Sequence, residues 1–157
     1  MKLDFKKLIK CIAIPLVVGG VSSFITMNAM ETFKTLRQPP LSPPDWLFPV
    51  AWTILYTLMG VSSYLTLSSK DDREEVISTK VIYYAQLIVN FLWPIFFFNL
   101  GWYLFSFFWL LFLWLLVIVM IKRFAGVSKV AAAMNIPYLL WLTFAAYLNL
   151  GVWWLNR

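Results

Sequence analysis

Residues 81–121 read VIYYAQLIVNFLWPIFFFNLGWYLFSFFWLLFLWLLVIVMI, 41 consecutive positions without a charged side chain. A helix that crosses a bilayer needs about 20 apolar residues at ~1.5 Å rise each, so this run is too long for one span and must hold two. The only turn chemistry inside it is Asn99-Leu100-Gly101, where an amide and a glycine let the chain reverse. Working outward, further charge-free runs cover 11–30, 46–69 and 130–156. The reading is therefore an all-α integral membrane protein, a single bundle of five transmembrane helices forming one domain over 1–157. The spans are expected at about 9–30, 46–67, 77–98, 102–122 and 130–155.

Composition agrees: 62% of residues are hydrophobic and the mean hydropathy is +0.78. Charged residues make up 13%, against roughly 25% in soluble domains. Lys2, Lys6, Lys7 and Lys10 precede the first apolar run in the manner of a signal peptide. The run Cys11–Met30 is longer than the ~7–15-residue core of such a signal, however, and no small-residue cleavage site follows it. The single Cys11 excludes an intramolecular disulfide, and the absence of His removes the commonest metal ligand, so no metal site is expected.

With five spans the termini lie on opposite faces and the basic residues can be sorted by side. One side collects ten, Lys2, Lys6, Lys7, Lys10, Lys70, Arg73, Lys80, Lys122, Arg123 and Lys129. The other has three, Lys34, Arg37 and Arg157. The positive-inside rule then puts the N-terminus in the cytoplasm, with an inner or plasma membrane as the host. The net charge of +6 is accordingly a topology signal. Scattered over short loops, it suits anionic lipid and offers no nucleic-acid surface.

The first connection, 31–45, contains Arg37-Gln38-Pro39-Pro40-Leu41-Ser42-Pro43-Pro44, whose prolines forbid helix and sheet ladder alike. Such a segment either caps the bundle as a lid or simply stops one span and starts the next, with Pro44 and Asp45 as helix-start signals. In the loop 68–80, the mixed charges Lys70-Asp71-Asp72-Arg73-Glu74-Glu75 read as a solvated turn in which Asp71 and Asp72 start helix three.

All seven carboxylates, Asp4, Glu31, Asp45, Asp71, Asp72, Glu74 and Glu75, fall in loops or at helix ends. Proton relays and coupled transporters need ionisable groups at depth, which cost about 2.5–3.5 kcal/mol each on insertion scales. Carboxylate acid/base chemistry and charge-coupled pumping are therefore not expected. The polar groups available inside are neutral: Gln86, Asn90, Asn135, Thr143 and Asn149.

Three of the nine tryptophans, Trp52, Trp93 and Trp141, lie near the middle of charge-free stretches, away from the interfaces that indoles usually mark. Helical spacing sets each in a stripe. Helix three carries Gln86, Asn90, Trp93 and Phe97 on one face, helix two carries Trp52, Tyr56, Gly60 and Ser63, and helix five carries Tyr138, Trp141, Ala145, Leu148 and Asn149. Each stripe alone could be a packing face. Three together imply indoles around a vacant, uncharged space of the kind a lipophilic ligand requires.

These residues carry a resemblance. Leu36-Arg37-Gln38-Pro39-Pro40-Leu41-Ser42-Pro43-Pro44-Asp45-Trp46, followed by Trp52, Tyr56, Met59 and Gly60, resembles the first loop and second helix of the translocator protein family, also called tryptophan-rich sensory proteins or peripheral-type benzodiazepine receptors. Gln86-Leu87, Asn90-Phe91-Leu92-Trp93 and Phe97-Phe98 resemble its third helix. Pro137-Tyr138-Leu139-Leu140-Trp141, Phe144-Ala145 and Leu148-Asn149 resemble its fifth, and Gly19-Gly20 fits its first. The resemblance implies a homodimeric membrane receptor or carrier that binds porphyrin, haem and benzodiazepine-type ligands and requires no cofactor. It implies a pocket lined by Phe33, Trp52, Asn90, Trp93, Phe97, Tyr138, Trp141, Ala145 and Leu148. For some bacterial members it also implies light-dependent degradation of porphyrin, with Trp52 and Trp141 at the positions of the participating indoles. A scaffold with no small ligand is the remaining alternative.

The chain departs from the family's pattern at Leu41, where a Trp is usual, at Gln38, where Lys is common, and at Pro94, where a small hydroxyl residue is common. The C-terminal sterol pattern is absent: the last Tyr, Tyr147, is followed only by the distant Arg157. Lys80-Val81-Ile82-Tyr83 with Leu87 fits the reversed pattern.

Overall fold

The computed structural model describes residues 3–68 and 74–157. Backbone amides and carbonyls inside hydrocarbon have no water to bind, so each apolar run satisfies them internally as helix. Among the described residues five helices are long and apolar enough to cross a membrane. The first is α1 (Phe5–Thr26); a short α2 (Ala29–Lys34) and α3 (Leu47–Leu67) follow it. Next come α4 (Glu74–Pro94), continued by a π-helical turn over Ile95–Asn99, and α5 (Tyr103–Val127). The fifth span is built from α6 (Lys129–Ala133) and α7 (Ile136–Leu155).

Each boundary that differs from expectation has a local cause. α1 begins at Phe5 because the Asp4 side chain accepts a hydrogen bond from the Lys7 amide, and it ends at Thr26 rather than at residue 30. The loop expected at 31–45 is partly helical through α2, where Lys34 pairs with Glu31 at 3.1 Å. Asp45 does not cap α3: the helix opens at Leu47, whose amide bonds to the Pro44 carbonyl at 3.0 Å. The expectation that Asp71 and Asp72 start helix three falls outside the described residues. Pro94 has no N–H to return to Asn90, and beyond it the helix widens into the π turn that ends at the expected reversal, with Gly101 at φ +64°. α5 runs on past residue 122, because Lys122 and Arg123 near a helix end can extend toward the interface. The fifth span breaks at Met134-Asn135, where Pro137 cannot donate to the Ala133 carbonyl.

The spans pack in a ring: α3 along α1, α1 along α4, α4 along α5 and α5 along α7, with α6 meeting α3 at one end. Small residues allow the closest approaches. A Cβ on Gly60 would fall 2.4 Å from the Ile12 Cα, and one on Gly19 would fall 2.2 Å from the Tyr56 ring. The loop and the C-terminus share one end of the bundle, where exposed Trp46, Trp102 and Trp154 stand as an interfacial belt and the Arg157 guanidinium lies 3.5 Å over Trp154.

The proline-rich loop does not hang free. Asn156 accepts from the Arg37 amide at 3.0 Å and donates to the Arg37 carbonyl at 2.9 Å, and Tyr147 donates to the Pro40 carbonyl at 2.6 Å. The Pro39 ring sits where a Cβ on Gly151 would fall 2.5 Å away. The turn Pro39–Ser42 holds Leu41 in the left-handed region at φ 66° with its side chain 83% exposed. Asparagine tolerates that conformation better than leucine, so Leu41→Asn is expected to stabilise the fold by about 1 kcal/mol in reversible unfolding. An unchanged or lowered stability would show that the turn carries no such strain.

Candidate functional site

Three residues of α3 at four-residue spacing, Phe48, Trp52 and Tyr56, face Tyr138 and Trp141 on α7. Trp52 stacks on Tyr56 with ring centroids 5.3 Å apart and meets Tyr138 edge-on at 6.2 Å. Trp52 and Trp141 stand at 85° to one another, 6.4 Å apart, and Phe48 closes on Trp141 at 6.0 Å. These rings bridge a place where the backbones of α3 and α7 stay apart, although α3 and α6 meet beyond it.

Behind the rings runs a buried chain of neutral polar groups. Tyr56 donates its hydroxyl to Asn90 Oδ1 at 2.7 Å, and Asn90 Nδ2 donates to the Tyr138 hydroxyl at 2.6 Å. Tyr138 in turn donates to Gln86 Oε1 at 2.8 Å, and Gln86 Nε2 reaches the Met59 sulfur at 3.2 Å. Asn90 thus holds two phenols in place. Removing it in Asn90→Ala strands the Tyr56 hydroxyl in an apolar interior, while Tyr138 keeps its bond to Gln86, at about 1–3 kcal/mol of stability. Tyr56→Phe removes one donor and is expected to cost nearer ~0.6 kcal/mol, the average for such bonds between membrane helices. Reversible unfolding in detergent that ranks the two the other way would contradict this assignment.

The site residues expected from the sequence divide into two groups. Trp52, Asn90, Tyr138 and Trp141 come together as described, and Ala145 is buried in the core that Trp52 and Trp141 border. Phe33, Trp93 and Phe97 form a separate cluster nearer the loop. Trp93 stacks on Phe97 at 5.2 Å, and Phe33 packs on Phe97 at 5.6 Å and on Phe98 at 5.1 Å. The Trp93 indole donates to Asn149 Oδ1 at 3.0 Å while Asn149 Nδ2 donates to the Tyr103 carbonyl at 2.7 Å, which makes this cluster a fastener of α4, α5 and α7. Leu148 is half-buried. Phe48, Tyr56 and Gln86 belong to the site but were not among the expected lining; Phe48 lies one four-residue step before Trp52 on the same stripe.

The expected vacant space among the indoles is corrected by the structure. Flat side chains on facing helices gain by touching, and these rings close on one another at the distances above. The open space lies on their outer flank: a groove of about 440 Å³ lined by Ala51, Ile54 and Leu55 of α3 and by Pro137, Leu140, Trp141 and Phe144 of α7. Its walls bear no charge. Among the described residues no group of three His, Cys, Asp or Glu side chains converges on a metal position.

Among the described residues three of the nine indole N–H groups are hydrogen-bonded; the six without a partner are those of Trp46, Trp102, Trp153 and Trp154 toward the loop end and those of the pair, Trp52 and Trp141. The indole N–H groups of Trp93, Trp109 and Trp114 are bonded to Asn149, the Val89 carbonyl and Thr143. Two free donors on facing indoles of α3 and α7, together with a loop containing Pro39-Pro40 and Pro43-Pro44 that is bonded to α7, define a recognisable arrangement, and residues 11–155 match the TspO/MBR family.

The chain belongs to this family. The tryptophan-rich protein TspO of Chlorobaculum tepidum is 37% identical to it, covering 93% of this chain and 93% of its own length. Protein CrtK of Rhodobacter capsulatus is 36% identical over 79% of this chain and 78% of its own. The translocator protein of Homo sapiens is 32% identical over 84% of this chain and 79% of its own. Membership of the TspO/MBR family and the five long apolar helices make this an integral, multi-pass membrane protein.

Proposed function

We propose that the chain is a membrane receptor or carrier for porphyrin- or haem-type tetrapyrroles and related planar lipophilic molecules, held between α3 and α7. The free N–H groups of Trp52 and Trp141 beside the groove support this reading most strongly, because an unsatisfied donor in hydrocarbon gains from any ligand that accepts from it. A flat macrocycle laid on one indole would meet the edge of the other, since the two rings stand at 85°. The Tyr56–Asn90–Tyr138–Gln86 chain fixes the floor beneath them. The name translocator protein borne by a relative agrees with a carrying role. Sorted by sequence across five spans, ten basic residues fall on the N-terminal side and three on the other, which supports a cytoplasmic N-terminus.

Thermal unfolding in detergent tests the reading. Protoporphyrin at a hundred times its dissociation constant should stabilise the protein by ~2.7 kcal/mol. If no member of a panel of porphyrins, sterols and quinones raises the melting temperature, the protein is a scaffold and the receptor reading is wrong.

A second reading rests on the stacking of Trp52 on Tyr56 at 5.3 Å, which sets two oxidisable rings in contact, with Trp141 between Trp52 and the groove. Under it the chain consumes porphyrin in light and oxygen. Product should then exceed protein many-fold under illumination and be lost in Trp52→Phe and Trp141→Phe; a yield that stops near one equivalent would identify photosensitised damage instead.

A further inference from the structure

Ligand entry is the question that the two ends of the site answer differently. At the loop end the segment Arg37–Pro40 is latched to α7 by the Asn156 and Tyr147 hydrogen bonds and by the seat of Pro39 on Gly151. Opening there must break three hydrogen bonds together and lift a proline from a fitted contact. Between α3 and α7 no hydrogen bond crosses the groove among the described residues, and the backbones are already apart. Trp141 belongs to both sides of the wall: it lines the groove and also stands edge-on against Trp52. At the mouth Ile54 and Leu140 are 55% and 65% exposed, so hydrocarbon reaches the indole pair with only side chains to part. With its indole N–H unbonded, Trp141 can turn without giving up a polar contact.

We infer that the ligand reaches the indole pair sideways from the bilayer, through the groove between α3 and α7, with Trp141 as the side chain that swings to admit it and the loop remaining latched. This rests on the receptor reading above and adds the route. The occupant of the groove is accordingly the lipophilic ligand itself in transit, a molecule that partitions into the membrane before it binds. A gate of this kind alters how fast ligand enters and leaves, whereas the seat beyond it sets how tightly ligand is held.

Protoporphyrin transfer from neutral phosphatidylcholine vesicles to the full chain in proteoliposomes, followed by porphyrin fluorescence, tests the route. Narrowing the mouth with Ile54→Phe and Leu140→Phe should slow association and dissociation alike by about tenfold, equivalent to ~1.4 kcal/mol on both barriers, with the dissociation constant nearly unchanged. Widening it with Ile54→Ala and Leu140→Ala should speed both. Unlatching the loop with Asn156→Ala and Tyr147→Phe should leave the association rate as it is. The route is overturned if the loop variants accelerate entry while the mouth variants do nothing. If instead the parent binds no porphyrin, or Trp52→Ala binds it as tightly as the parent, it is the receptor reading that fails and the route falls with it.

Discussion

Replacing either Trp52 or Trp141 by alanine is expected to weaken protoporphyrin binding about thirtyfold, the loss of ~2 kcal/mol that follows when a well-seated indole is removed from a binding site. The two are not equivalent. Trp141 forms part of the groove wall as well as the seat, so its removal should also speed exchange, while Trp52, stacked on Tyr56 behind it, should affect affinity alone. Trp93→Ala is the informative contrast. Its indole is committed to Asn149, so the variant should lose stability through the link between α4 and α7 while its effect on affinity per folded molecule stays small. Equilibrium titration in detergent distinguishes the three. Equal affinity in the parent and in both Trp52→Ala and Trp141→Ala would remove the site from between α3 and α7.

The second large effect is on the fold, and it separates two adjacent glycines by sign. A methyl group at Gly19 would fall 2.2 Å from the Tyr56 ring, whereas at Gly20 nothing lies within 4 Å. Gly19→Ala must therefore push Tyr56 off its bond to Asn90 and off Trp52, at about 1–3 kcal/mol for overpacking, and should weaken porphyrin binding as well. Gly20→Ala gains about 0.5–1 kcal/mol, because alanine gives up less backbone freedom in a helix. Gly60→Ala is harsher than either: its methyl meets the α1 backbone, 2.4 Å from Ile12 Cα and 2.7 Å from the Cys11 carbonyl oxygen, where no side chain can move aside. Reversible unfolding should rank Gly60→Ala below Gly19→Ala, and both below the parent, with Gly20→Ala above it. Equal effects of the Gly19 and Gly20 substitutions would mean that α1 does not press on Tyr56.

Much of this was legible in the residues because a bilayer leaves few choices. The uncharged run 81–121 demanded two spans, and the reversal lies at Asn99–Gly101 as the amide and glycine indicate. The stripes on helices two, three and five also read correctly as faces turned inward, since Tyr56, Gln86, Asn90, Tyr138 and Asn149 are all buried. What spacing along one helix cannot convey is which stripes meet. Trp93 shares a face with Asn90, yet its ring turns toward Phe97 and Asn149 while Asn90 reaches Tyr56 and Tyr138. Nor does a sequence show that rings brought together will fill the space between them. The short α2 was hidden by the prolines that follow it, although Glu31 and Lys34 at three-residue spacing were its signal. The latch of the loop depends on Asn156 and Arg37, 119 positions apart, and only the folded chain brings them together.

The most direct measurement is 19F NMR of protein labelled throughout with 5-fluorotryptophan, its resonances assigned by single Trp→Phe variants and followed as protoporphyrin is added. Each of the nine indoles reports its own surroundings. The account predicts that the Trp52 and Trp141 signals shift first and together, saturating at one ligand per chain, while those of Trp46, Trp102 and Trp154 at the loop-end interface stay in place. Shifts confined to those three exposed tryptophans, with Trp52 and Trp141 unmoved, would contradict it.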